Sequence, residues 1–252
     1  MRNLKITISY DGTESCGWQI QPGRASIQGE IAAAVERVCG ERVLPQGSGR
    51  TDAGVHALAQ VASFAIAAPV PLDNFRFALN NTLPATIRIM HVEEAAADFH
   101  ARKSAAAKTY RYRISRAQIT SPFLARYVWH YPYPLDEAAM AAAASAIIGE
   151  HDFTSFAAAD PEKGSHERSR VRTVFSSAWR REGDELIYEI SGAGFLHHMV
   201  RNLVGSFILV GKGTISRARL IEILSARDRS LAGPTAPPQG LALVSVKYSE
   251  TV

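Results

Sequence analysis

The segment Gly47-Ser48-Gly49-Arg50-Thr51-Asp52-Ala53-Gly54-Val55-His56-Ala57 gathers a carboxylate, a guanidinium, two hydroxyls and an imidazole around three glycines. Glycines let a backbone turn sharply and come close to a ligand. A carboxylate on such a loop could serve as nucleophile, base or charge anchor. An ordinary turn in which Asp52 satisfies nearby backbone N–H groups would use the same residues. Spacing alone leaves both readings open. Arg201 and Asn202 form the second group, because they interrupt the apolar run from Met199 to Ile208. A guanidinium there needs a partner, since burying one unpaired is costly. A structural ion pair is one answer. The other is a carboxylate brought from elsewhere in the chain, which Arg201 would keep charged and oriented.

Other patterns narrow the chemistry. Gly192-Ala193-Gly194 suggests a dinucleotide loop, but the sixth position of that motif is His197 instead of glycine. Gly211-Lys212-Gly213-Thr214 has the wrong spacing from Gly205, and no Ser or Thr directly follows the lysine of the P-loop pattern. The sequence has no H-E-x-x-H pair, acidic cluster or G-x-S-x-G elbow, which argues against a metallohydrolase and a serine hydrolase. Placed on a helix, His197 and His198 would diverge by about 100° and could not share a metal. Cys16 and Cys39 lack metal-ligand spacing and read as buried or idle thiols. Tyr110 and Tyr112 alternate with Arg111 and Arg113. That pattern suits a core strand with one charged face, or a surface that stacks on and clamps nucleic acid. Arg168, Arg170 and Arg172, followed by Arg180 and Arg181, could grip phosphates or remain solvated.

These groups need elements to hold them. The 252 residues are 46% hydrophobic, enough for a sizeable core in one large domain or two smaller ones. Net charge is +4, and all the excess falls in residues 105–252, with 18 basic against 14 acidic side chains. A polyanionic partner on that side, or simply a solvated face, follows. The most apolar stretch, Ala138 to Ile148, is too short to cross a bilayer, and the N-terminal residues alternate instead of forming a signal peptide. The expectation is a soluble cytoplasmic protein.

Leu4, Ile6, Ile8 and Tyr10 alternate as a half-buried strand. Ser26 should cap a helix carrying Ile27, Ile31, Val35 and Val38 and ending near Gly40. Further elements are a strand over 58–66, a short helix over 71–81, a strand over 86–92, the tyrosine strand over 109–114 and a strand near 127–130. A helix over 135–148 is followed by a loop from His151 to Ser169. Strands over 171–179 and 186–191, helices over 195–210 and 216–226, and a strand over 241–248 complete the chain. The expected fold is α+β: two similar subdomains, 1–104 and 105–252, each a mixed, largely antiparallel sheet with helices packed on it, and a basic cleft between them.

The Arg50-Thr51-Asp52-Ala53-Gly54-Val55-His56-Ala57 run resembles the active-site motif of the A-type tRNA pseudouridine synthases. So do, in order, Tyr10-Asp11-Gly12 with Gly17-Trp18-Gln19, Lys108-Thr109-Tyr110-Arg111-Tyr112, and His151-Asp152-Phe153 with Phe156. Phe195 to Gly205 resembles the family's arginine helix, and Ala236-Pro237-Pro238-Gln239-Gly240-Leu241 with Tyr248 its closing strand. Residues 157–169 do not align with that pattern, and Ala242 stands where an aromatic is more usual.

The resemblance implies isomerisation of uridine at tRNA positions 38, 39 and 40 by a homodimer that needs no metal and no organic cofactor. A catalytically inactive tRNA-binding protein on the same scaffold is the alternative. By motif, Asp52 is the catalytic carboxylate, Arg201 its ion-pair partner and Tyr110 the catalytic-site ring that stacks on the target base and could assist loss of the C5 proton. Arg50, Thr51, His56, Arg168 and Arg170 would contact the RNA.

Overall fold

The structure is a computed structural model describing residues 1–158 and 169–249. In chain order its elements are β1 (Arg2–Tyr10), α1 (Ile27–Cys39), β2 (Gln46–Gly47), β3 (His56–Ile66), α2 (Leu72–Thr82) and β4 (Ile87–Glu94). Then come β5 (Ala105–Ser115), β6 (Trp129–His130), α3 (Glu137–Ser145), β7 (Gly149–Asp152), β8 (Val171–Glu182) and β9 (Glu185–Gly192). The chain ends with α4 (Met199–Gly211), α5 (Arg217–Ala226) and β10 (Leu241–Tyr248). They form two compact units: Met1–Ala106 with Ala242–Val252, and Ala107–Leu241.

In the first unit the strand order is β4-β1-β3-β10. The pairings of β1 with β3 and β4 are antiparallel, and β10 runs parallel to β3. Strand β1 alternates as its sequence demands: Leu4, Ile6, Ile8 and Tyr10 are buried while Asn3, Lys5, Thr7 and Ser9 are not. Helix α1 starts where the Ser26 side chain accepts the Gly29 N–H and stops at Gly40 in the left-handed region. It buries Ile27, Ile31, Ala34 and Val35, and α2 buries Phe75 and Leu79. The Phe75 ring meets Phe64 of β3 at 6.5 Å.

In the second unit the order is β5-β9-β8-β7, antiparallel throughout, with β6 parallel to β5. Eleven residues of α4 are buried, including Val204, Phe207 and Ile208. Phe207 makes edge contacts with Trp179 and Tyr188.

The mixed, largely antiparallel α+β sheets match the expectation. Three details differ. Residues 149–152, expected as helix end and loop, form β7, and Thr154–Phe156 make a 3-10 turn. The helix expected from Phe195 begins at Met199, because His198 lies at φ 60° and breaks the helical path. Strand β10, expected in the C-terminal half, belongs to the first unit, through its parallel pairing with His56 and Ala57.

Candidate active site

In the first unit Asp52 stands half-buried on the loop between β2 and β3. Its backbone carbonyl accepts the Val55 N–H at 3.1 Å, closing a turn that Gly54 completes at φ 76°. Thr51, next to it, is fixed twice. Its carbonyl accepts the Trp18 N–H at 3.0 Å, and its hydroxyl lies 2.8 Å from the Tyr10 hydroxyl.

The segment behind the loop is the Tyr10 to Trp18 stretch, and its glycines are there for clearance. A Cβ on Gly12 would fall 2.0 Å from the Val55 carbonyl oxygen, and one on Gly17 2.5 Å from that of Thr51. Gly17 also sits at φ 101°, in the region that favours glycine. On the loop's other side a Cβ on Gly47 would meet the buried Trp18 ring. Gln60, fully buried on β3, accepts from the Ser48 hydroxyl at 2.7 Å and donates to the Gly49 carbonyl at 2.9 Å.

These contacts place two expected RNA-binding residues inward. Thr51 is buried with its hydroxyl on Tyr10. His56 is buried at the start of β3, where its Nδ1 accepts the Gly12 N–H at 3.1 Å, and Asp11 Oδ1 lies 3.3 Å from the same nitrogen. A ring that accepts at Nδ1 carries its proton on Nε2 when neutral. Arg50 is exposed, beside a small cleft of about 130 Å³ lined by Trp18, Gln19, Gln46 and Arg102 among others.

In the second unit Tyr110 and Tyr112 lie on the buried face of β5, as alternation requires. The Tyr110 ring meets Phe195 edge-on at 5.1 Å. Arg111 and Arg113, on the other face, are engaged by carboxylates of β9. Arg111 donates twice to Glu189, and Arg113 donates from Nε and Nη2 to the two oxygens of Glu185 at 2.7 and 2.6 Å. The tyrosines of β5 thus face inward and its arginines form a paired, charged face. Arg180 and Arg181 are likewise paired, with Glu182 and Glu137. Arg170 is exposed, and Arg168 lies outside the described residues.

Arg201, half-buried in the first turn of α4, is held by the loop before β10. Its Nε donates to the Ala236 carbonyl at 2.8 Å, and its own carbonyl accepts the Ala236 N–H at 3.1 Å. Tyr112 locks the same loop by donating to the Pro237 carbonyl at 2.7 Å, and its ring fills the space a Cβ on Gly240 would need. Burial pushes the Tyr112 hydroxyl far above its ordinary range, against the opposing pull of the Arg201 charge, so it stays a donor.

Asn202 is a junction. Its amide donates to the Phe156 carbonyl at 2.7 Å, and its oxygen accepts from Thr235 at 2.7 Å and Arg229 at 3.0 Å. Burial raises the pKa of Asp152, but hydrogen bonds from Thr154 and the charges of Arg227 and Arg170 outweigh it and hold the carboxyl below its ordinary value.

His197 and His198 do not diverge on a helix. Both precede α4, and their rings lie 3.9 Å apart at 35°. The sequence alone assigns no individual task to Tyr10, Trp18 or Gln60, or to the Ala236–Pro237 carbonyls. One signal was available: a glutamine at 60 within the strand run Val61-Ala62-Ser63-Phe64 must find partners if buried.

The chain is similar to known proteins over most of its length. The family described as tRNA pseudouridine synthase matches residues 6–102 and 143–249. The tRNA pseudouridine synthase A of Solibacter usitatus (strain Ellin6076) is 52% identical over 248 residues, spanning 98% of this chain and all of that protein. Proteins of the same description from Brevibacillus brevis (strain 47) and Moorella thermoacetica (strain ATCC 39073) are 46% and 44% identical. The first alignment covers 98% of this chain and 100% of the relative, the second 97% and 99%.

Proposed function

The chain belongs to the tRNA pseudouridine synthase family, and from that premise we propose that it isomerises uridine to pseudouridine in the anticodon stem-loop of tRNA, at positions 38, 39 and 40. Asp52 is the catalytic carboxylate, Arg201 the group that keeps it charged and aimed, and Tyr110 the ring that stacks on the target base. Arg50, Arg168 and Arg170 contact the RNA backbone. Thr51 and His56 serve the RNA through the loop they hold. The protein works as a cytoplasmic homodimer with tRNA as its partner. No helix among the described residues is long and apolar enough to cross a membrane.

The observation that carries this reading is the support built around Asp52. A buried scaffold of Tyr10, Thr51, Ser48 and Gln60 holds a half-buried acid on a glycine-rich loop, in a chain that matches a synthase over 98% of its residues. The reaction breaks N1–C1′, turns the uracil and bonds C5 to C1′. The C5 proton leaves and N1 takes one up, so no oxidant, reductant or net water is consumed. Asp52 starts it either by attack on the nucleoside, at C1′ or C6, or by removing the 2′ proton to form a glycal. The target nucleotide must leave its stack, at a cost of a few kcal/mol. Phosphate contacts help repay that cost.

The test is tritium release from tRNA transcripts labelled at C5 of uridine. Wild type should release the label. Asp52→Ala and Asp52→Asn should release none while binding tRNA with near-wild-type affinity, and Arg201→Ala should lower turnover sharply. A wild-type chain that binds tRNA tightly and releases nothing would move the reading to an RNA-binding protein. Full activity in Asp52→Ala would remove Asp52 from the mechanism.

A further inference from the structure

Tyr10 is 4% exposed and Thr51 6%, yet each brings a hydroxyl into the core of the first unit, where the two meet at 2.8 Å. Buried hydroxyls cost free energy unless satisfied, and an apolar pair of the same shape would pack at little or no penalty. The pair therefore gains geometry at the expense of stability it could have had. Tyr10 closes β1, between Ala57 of β3 and Ile87 of β4, so its ring is rooted in the middle of a sheet. Thr51 immediately precedes Asp52, in a loop whose glycines would otherwise leave many conformations open.

We infer that Tyr10 is a positioning residue for the isomerisation: its hydroxyl, through that of Thr51, sets where the Asp52 carboxylate stands. This rests on the assignment of Asp52 in the proposed function. The anchoring has two sides. Tyr10 and the Trp18 N–H hold Thr51, while Gln60 grips Ser48 and the Gly49 carbonyl, three and two residues earlier. Both anchors are buried, so the loop is held on either side from within the core of the first unit. Burial, the largest influence, pushes the Tyr10 hydroxyl up to about 12 against the pull of its bonds to Thr51 and Gln60. It thus stays a neutral hydroxyl throughout the working pH range. Removing the Tyr10 oxygen frees the Thr51 side chain to turn, and the Asp52 peptide turns with it.

Steady-state tritium release and thermal melts on Tyr10→Phe, Thr51→Val, the double variant and Thr51→Ser separate position from stability. Tyr10→Phe leaves the Thr51 hydroxyl buried without its partner, so it should melt earlier. It should also lose about tenfold to a hundredfold in kcat, the scale of a misplaced catalytic group, with KM for tRNA nearly unchanged. The double variant orphans no hydroxyl and should regain much of the lost melting temperature. Its kcat should stay low. Thr51→Ser keeps the hydroxyl and should recover most of the rate that Thr51→Val loses.

Recovery of kcat together with melting temperature in the double variant would make the pair a stability feature and overturn the inference. So would a rise in KM at constant kcat. A wild-type chain that releases no tritium would instead overturn the role of Asp52, and the inference with it; the two failures are distinct.

Discussion

Asp152 carries more on one carboxylate than its surface position suggests. Its Oδ1 accepts the Thr154 N–H at 2.9 Å and the Thr154 hydroxyl at 2.6 Å, and its Oδ2 lies 3.0 Å from Arg227. Together these outweigh burial and depress the pKa below the ordinary 3.8. A depressed carboxyl contributes stability at all pH values above its unfolded pKa and loses it as pH falls through the lower folded value. Asp152→Asn keeps an oxygen for Thr154 but not the charge. It should melt earlier than wild type at neutral pH, and the gap should begin to narrow below about pH 4 and close only once pH has fallen through the lower folded pKa. Thermal melts of both proteins from pH 7 to pH 2 would check this; a gap independent of pH would show that the charge contributes nothing. At this scale the sequence is legible in kind but not in direction. The types and spacing around Asp52 mark a site, yet a loop without a period cannot say that Thr51 and His56 point inward while Arg50 points out.

Helix α4 shows what an element adds. A Cβ on Gly205 would lie 1.7 Å from the Pro234 carbonyl oxygen, so the helix and the loop before β10 touch backbone to backbone. The same loop presents the Ala236 carbonyl to Arg201. Gly205→Ala must push the loop away, and overpacking of this kind costs about 1–3 kcal/mol or more. Because the moved segment holds Arg201, turnover should fall further than the loss of folded protein explains. Melting and tritium release measured on one preparation would decide; unchanged values for both would mean the loop yields freely.

Helix α1 was readable from end to end, since Ser26 and Gly40 mark its limits and its apolar spacing is regular. The start of α4 was not. Phe195 and Leu196 continue an apolar helical pattern, and only the left-handed backbone at His198 shows that the helix begins at Met199. Strand β7 has just four residues and no clear alternation, so its identity comes from pairing with β8 and not from its own sequence.

For the whole molecule, chain order and structural membership part company. The chain builds most of one unit, then all of the second, and returns with β10 to finish the first. Parallel pairing of Ala242 and Leu243 with His56 and Ala57 seats β10 beside the strand that opens directly after the Asp52 loop. At the far end Tyr248 donates to the Ala101 carbonyl at 2.9 Å and packs its ring against Phe99 at 5.0 Å, with the Lys5 ammonium 4.8 Å from its centre. A division drawn by sequence near residue 105 separates Ala242, Leu243 and Tyr248 from the first unit, because strand pairing across such a separation leaves no local trace.

The consequence is that a core change late in the chain should weaken the part made first. Leu243 is fully buried, and Leu243→Ala should cost about 2–5 kcal/mol. Local stability follows cooperative units, so amide exchange should quicken first in β1 and β3, with β8 and β9 keeping more of their protection. Equal loss in all four strands would mean that the two units unfold as one.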